Sequence, residues 1–246
     1  INQLQTELTL LESNTVLSLD GMLRLSQVNG YDAAEFTAVN VVVNSGSGST
    51  NAQVNGLGNL IIGYNESLFA APEFCSDSEY TNSTDCNNNG HVWANNVKTG
   101  SHNLILGFAN SYDNFGSIVT GVYNIVNGDF ASVLGGVFNA ANETGSSISG
   151  GFINSANAPY SHISGGQNNI TAGGYSTVTG GANNTAQADH SNVSGGRGNV
   201  ANGNFSSVTG GNNNAANGGD STVSGGSNRT ANDVSDWVAG SLLEDN

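Results

Sequence analysis

The sequence predicts an all-β protein, a parallel β-roll or β-solenoid with 15-residue coils and a short N-terminal helix. Three observations carry that expectation. First, Ile118, Val133, Ile148, Ile163, Val178, Val193, Val208, Val223 and Val238 stand 15 residues apart. A fixed short period marks a stack in which each unit touches only its neighbours. Second, the residues flanking each of these are polar in most copies, as in Ser147/Ser149, Thr177/Thr179 and Ser207/Thr209. Polar–apolar–polar is strand alternation with the aliphatic side chain inward. Third, a Gly-Gly pair follows in nearly every copy and turns the chain; Ile118 is followed instead by Thr120-Gly121.

Counted from the repeated aliphatic residue as position 0, Asn recurs at +6, in Asn124, Asn139, Asn154, Asn169, Asn184, Asn199 and Asn214. Stacked coils lie about 4.8 Å apart, so these residues are expected to form a ladder of side-chain amides. At +8 comes a small residue, Ala141, Ala156, Ala186, Ala201, Ala216 or Ala231, with Val126 and Thr171 as variants; this marks a second short strand. The predicted interior is thin, one Val or Ile and one Ala per coil. Apolar contact from outside the single chain is therefore expected, most simply from identical chains. The aromatic residues at +12, Phe130, Tyr160, Tyr175 and Phe205, are candidates for that contact or for an edge cap.

The pattern Ser-x-Val-x-Gly-Gly-x-x-Asn-x-Ala-x-Gly resembles the head repeats of trimeric autotransporter adhesins, over about 101–240. The resemblance implies a left-handed parallel β-roll, intertwined as a homotrimer and joined to a coiled-coil stalk. It also implies a secreted or cell-surface location in a bacterium. The period differs: it is 15 here and usually 14 in that family, with the extra residue at the doubled Gly. No neck motif and no membrane-anchor barrel is recognisable. The segment Val54–Glu66, V-N-G-L-G-N-L-I-I-G-Y-N-E, and the ending Asp236–Asn246 are also similar to a group of bacterial secreted proteins with S-V-S-G-G repeats.

Residues 1–20 place Ile1, Leu4, Leu8 and Leu11 at a and d of a heptad, which predicts a helix and a short coiled-coil stalk, or a helix packed on the roll. Residues 21–66 are expected to hold the first strands and coils. A strand is predicted over Glu35–Asn44, with Ser45–Ser49 as a turn and the solenoid starting near residue 35. Leu60 and Leu104 are assigned position 0 of early, greasier coils. Residues 67–100 form an insertion that breaks the period and holds Cys75 and Cys86, expected to close the loop as a disulfide. Residues 101–240 are the repeat proper. Residues 241–246 are a C-terminal tail or cap, and Trp237 is expected to lid the last coil.

Function classes are narrowed by charge. Four Lys and Arg against 19 Asp and Glu leave a formal charge of −15, which disfavours nucleic acid and anionic membrane surfaces as partners. No stretch is long and apolar enough to span a membrane. No signal peptide is visible, and the chain, which starts at Ile1, is read as a mature form or a piece of a longer one. Catalysis finds no support: His162 and His190 fall on outward repeat positions, and Ser-Gly-Gly belongs to the repeat. No cofactor is expected. Asp77, Glu79 and Asp85 in the insertion are weak candidates for a calcium loop; an acidic solvated loop is the favoured reading. The expected role is a non-enzymatic extracellular structural or adhesive fibre module. A plain filament or spacer subunit is one alternative. An ice-binding solenoid is another, since Ser and Thr at −1 and +1 form two hydroxyl columns interrupted by Val119, Leu134, His162, Asn192 and Trp237.

Overall fold

The computed structural model describes residues 3–6, 22–66, 74–75, 82–89, 93–94 and 97–240. They fall into two units, 1–43 and 44–246. In the first, residues 3–6 are helical; the rest of the heptad pattern lies outside the described residues. The same unit holds an antiparallel hairpin, Leu23–Val28 with Tyr31–Phe36. Asn29 and Gly30 form its two-residue turn, both with positive φ (53° and 82°), as a type I′ hairpin requires. Arg24 and Glu35 face each other across it in a bidentate ion pair (2.9 and 3.1 Å). The strand expected over Glu35–Asn44 is not formed. Its apolar run Val41–Val43 has no ladder partner among the described residues, and Phe36 instead ends the hairpin strand.

The second unit is a parallel β-solenoid of about nine turns, and it begins at Asn44 rather than near residue 35. An 11-stranded sheet runs along one side, from Leu60–Ile62 to Trp237–Val238. A nine-stranded sheet runs along the other, from Ser111–Tyr112 to Thr230–Ala231. Backbone N–H groups of one coil donate to carbonyls of the next, as Ser147 to Ser161 (2.9 Å) and Ser155 to Asn169 (2.9 Å). Val133, Ile148, Ile163, Val178, Val193, Val208 and Val223 are fully buried in one column, facing a column of fully buried Ala141, Ala156, Ala186, Ala201, Ala216 and Ala231. Val238 packs against the end of this core.

The early register departs from the expected one. Val133 pairs with Val119, and Val119 with Ile105. Val119 and Ile105 are fully buried, whereas Ile118 is 38% exposed and pairs outward with Ser132. Ile118 and Leu104 are thus not the core residues of their coils; Val119 and Ile105 hold those places, and in the first coil Leu60 and Ile61, paired with Leu104 and Ile105, are both exposed (50% and 44%). The cause is the glycine turn. Coils with a single glycine, Gly107 or Gly121, are 14 residues long, and their strands run on unbroken as Leu104–Phe108 and Ile118–Val122. From Gly135-Gly136 onward the extra residue interrupts the ladder, leaving a two-residue strand and an isolated bridge at Val137. The extra residue makes a bulge where Val133–Val137 pairs with Val119–Val122; the later coils all carry it and stay in register with one another.

The second glycine of each pair has no alternative. Gly196 has φ +82°, and a Cβ there would lie 2.2 Å from the Gly211 carbonyl oxygen. At the other corner, Ser161 N–H closes a turn onto Ala158 C=O (3.2 Å), with Pro159 and left-handed Tyr160 at its centre.

Trp237 does not lid the last coil. It sits outward beside Thr222, 66% exposed, with its indole N–H donating to Ser224 Oγ (2.7 Å).

Candidate functional site

Five features of the solenoid could serve a function: an asparagine spine, a second asparagine row, the hydroxyl face, two aromatic edges and the disulfide loop.

The spine is built from the predicted residues. Asn124, Asn139, Asn154, Asn169, Asn184, Asn199 and Asn214 are all buried. They form the expected ladder, but only Asn139 Nδ2 bonds the amide before it, Asn124 Oδ1 (3.2 Å); the other links run through the backbone. Each Oδ1 accepts the backbone N–H of the next residue in the column, as Asn184 from Asn199 (3.0 Å) and Asn199 from Asn214 (2.9 Å). Each Nδ2 donates to two glycine carbonyls, as Asn199 to Gly195 (2.8 Å) and Gly211 (3.1 Å). The side chain therefore satisfies a turn N–H and the first-glycine carbonyl, and adds a second donor to the next coil's glycine carbonyl, which already accepts a backbone N–H, as Gly211 does from Arg197 (2.9 Å). The spine also extends upstream: Asn65 Oδ1 accepts from Asn110 N–H (2.7 Å), and Asn110 from Asn124 (3.0 Å). Arg229 ends it, since its N–H bonds Asn214 (2.9 Å) but it offers no side-chain acceptor.

Two further Asn sets were not anticipated. Asn59 and Asn103 form a short spine at the opposite corner, Asn59 Oδ1 accepting from Asn103 N–H (2.9 Å) and Asn103 Oδ1 from Ser117 N–H (2.8 Å). The clue was the shared Asn-Leu-Ile of Asn59–Ile61 and Asn103–Ile105. On the surface, Asn142 bonds Asn157 (2.7 Å), Asn202 bonds Asn217 (2.7 Å) and Asn217 bonds Asn232 (2.8 Å), each 15 residues on.

The hydroxyl face carries the −1 and +1 columns outward. His162 bridges two of its hydroxyls, Nδ1 to Ser147 Oγ (2.8 Å) and Nε2 to Ser164 Oγ (3.0 Å). At the +12 corner, Tyr160, Tyr175, His190 and Phe205 stack in one column with ring centroids 4.8–5.1 Å apart. At the other corner Phe108, Tyr123, Phe138 and Phe152 form a second aromatic run.

The insertion leaves the first coil after Glu66 and returns at Val97. Cys75 and Cys86 are joined as expected (S–S 2.01 Å, Cα–Cα 5.8 Å). The bridge ties strand Phe74–Cys75 to the helix Ser83–Asn88, whose N-cap is Asn82. Asp77 and Glu79 lie outside the described residues. Asp85 lies in the first turn of that helix, where its carboxylate accepts from Asn82 Nδ2 (2.7 Å). Among the described residues no group of three His, Cys, Asp or Glu is placed to hold a metal ion. Lys98 donates to the Asn65 carbonyl beside this junction, and partial burial holds its pKa below the usual lysine value, with Glu66 opposing. Burial raises the pKa of Tyr112, the core residue that starts the nine-stranded sheet.

The geometry defines a repeat protein of the β-solenoid class, held by backbone ladders and asparagine spines. No family model matches the chain, and no curated protein matches it. No helix among the described residues is long and apolar enough to cross a membrane.

Proposed function

We propose that this chain is a non-enzymatic extracellular structural or adhesive fibre module, secreted or displayed on a bacterial surface and associated as a homotrimer. The observation that supports this best is the unbroken spine from Asn65 to Arg229. It locks every glycine turn to the next, so the solenoid behaves as a stiff rod that presents the same outward positions coil after coil. The resemblance to adhesin head repeats supplies the trimer and the surface location. The disulfide-closed insertion is the segment that interrupts this regularity, and insertions in solenoids gather on one face and often carry recognition.

Solution mass by light scattering over a dilution series tests the reading. A trimer stable to dilution supports it; a monomer at every concentration sinks it. Deleting 67–96 then separates adhesin from spacer: lost surface binding favours the adhesin, and unchanged binding favours the plain filament or spacer. The hydroxyl columns keep ice binding as the rival for a monomeric chain, checked by ice shaping under a microscope.

A further inference from the structure

Along the corner after the glycine turn, the outward residues change character part-way down the rod. Phe108, Tyr123, Phe138, Phe152 and Ile153 occupy its first coils; Gln167, Asn168, Asn183, Asn213 and Asn228 occupy the later ones. The rings of the first group touch in series, Phe108–Tyr123 edge-on, Tyr123–Phe138 stacked at 4.8 Å and Phe138–Phe152 edge-on. Yet Phe138, Phe152 and Ile153 remain 50%, 41% and 44% exposed, and nearby Leu134 55%.

The backbone makes this costly. Tyr123, Phe138 and Ile153 have φ of 55°, 57° and 55°, the same left-handed conformation held by Asn168, Asn183, Asn213 and Asn228 in the same column. Asn tolerates that region; other L-residues lose about 1–2 kcal/mol there, and a β-branched residue such as Ile is an outlier. Three successive coils thus carry residues that suit neither their backbone nor water, where the later coils show that Asn serves. The stripe also bears no Asp, Glu, Lys or Arg, on a chain whose formal charge is −15. Like charges brought face to face oppose association, so this stripe suits a meeting of two such chains better than the +12 column, whose exposed, left-handed Phe130, Tyr160, Tyr175 and Phe205 run beside Asp129, Asp189 and Asp220.

We infer that the Tyr123–Phe138–Phe152–Ile153 stripe is the docking surface for a second copy of this chain, side by side along the rod. The inference rests on the self-associating reading proposed above and assigns it a surface. Self-association through matching stripes is expected to leave the Asn-bearing half of the same corner exposed to solvent.

The test compares the wild-type chain with Phe138→Asn/Ile153→Asn by light scattering over a dilution series, with thermal unfolding as a check of folding. The variant is expected to associate about tenfold or more weakly, with no fall in the unfolding temperature of the single chain. Phe138→Cys provides a second readout that keeps the native stripe around one thiol. Two such chains treated with diamide should join through a disulfide, whereas Asn228→Cys on the polar half should not. A wild-type chain that is monomeric at every concentration overturns both this inference and the fibre reading. An oligomer unchanged in the double variant and not cross-linked through Phe138→Cys overturns this inference alone and moves the contact to another face.

Discussion

The coils centred on Ile105 and Val119 and those from Val133 onward share one interior but turn their corners differently. The early coils use a single glycine, keep five-residue strands and carry aromatic residues at the corner. The later coils add a glycine, shorten the strand to two residues and leave a bridge, with Asn taking over the corner from Asn168. A shorter ladder lowers the share of stability that comes from strand pairing. The Asn spine runs through both kinds of coil: Asn110 donates to the Leu106 and Gly121 carbonyls and accepts the Asn124 N–H, as Asn199 does at its own turn. The spine is thus a support common to the whole rod, and the later coils, with shorter ladders, lean on it more.

The comparison can be broken first at the spine. Asn199→Ala removes an acceptor from Asn214 N–H and donors from Gly195 and Gly211 carbonyls. Gly211 C=O keeps the Arg197 N–H (2.9 Å), so Asn214 N–H and Gly195 C=O are the two groups left short, which is expected to cost about 3 kcal/mol, seen as a large drop in denaturant midpoint. An equal loss from Ser147→Ala, on the outer face, would show that the spine is not special.

The two glycines of a pair should separate next. Gly211→Ala meets the Gly226 carbonyl oxygen at 2.1 Å and is forced into φ +89°, whereas a Cβ at Gly210 meets nothing within 4 Å. The first is expected to cost about 2–3 kcal/mol and the second less than about 0.5 kcal/mol. Similar losses for both would show that the inserted residue, and not the stacked turn, sets the constraint.

A smaller effect sharpens the view of the interior. Ser176, Ser191, Ser206 and Ser221 hydroxyls are buried with no hydrogen-bond partner among the described residues. In the coil where Thr171 replaces the usual Ala, Thr171 Oγ1 donates to Ser161 Oγ at 2.8 Å. Ala216→Thr should supply Ser206 in the same way and raise stability by about 1 kcal/mol. Destabilisation on thermal melting would show that the added methyl outweighs the bond.

The smallest effect concerns pH. Burial raises the Tyr112 pKa, so the folded state holds that proton more tightly than the unfolded chain. Its contribution is complete below the ordinary tyrosine pKa of about 10 and is lost as pH rises through the raised folded value. The unfolding temperature of the wild type should fall in that alkaline range, and less steeply in Tyr112→Phe.

Much of this architecture is legible in the residues. The 15-residue spacing of Val133 through Val223 places each in the core, and the recurrence of Asn139 through Asn214 locates the spine. The disulfide follows from two cysteines in one period-breaking loop. The early register is not legible from spacing: Ile118 also lies 15 residues before Val133, and Ile118 and Val119 are equally apolar. Only the stacking of Gly107 on Gly121 decides that Val119 faces inward. Likewise the run Phe36–Val43 has strand composition, but pairing across Asn29-Gly30 claims Phe36 for the hairpin and leaves Val41–Val43 outside it.

What the sequence determined alone is the period, the inward alternation and the positions that must be glycine or asparagine, because these follow from local geometry repeated without change. What only the tertiary structure decided is where that repetition shifts by one residue, which atoms the asparagines bond, and which apolar side chains are left facing water. Those outcomes depend on the neighbouring coil. A backbone ladder accepts either of two adjacent aliphatic residues, and contact with the next coil selects between them.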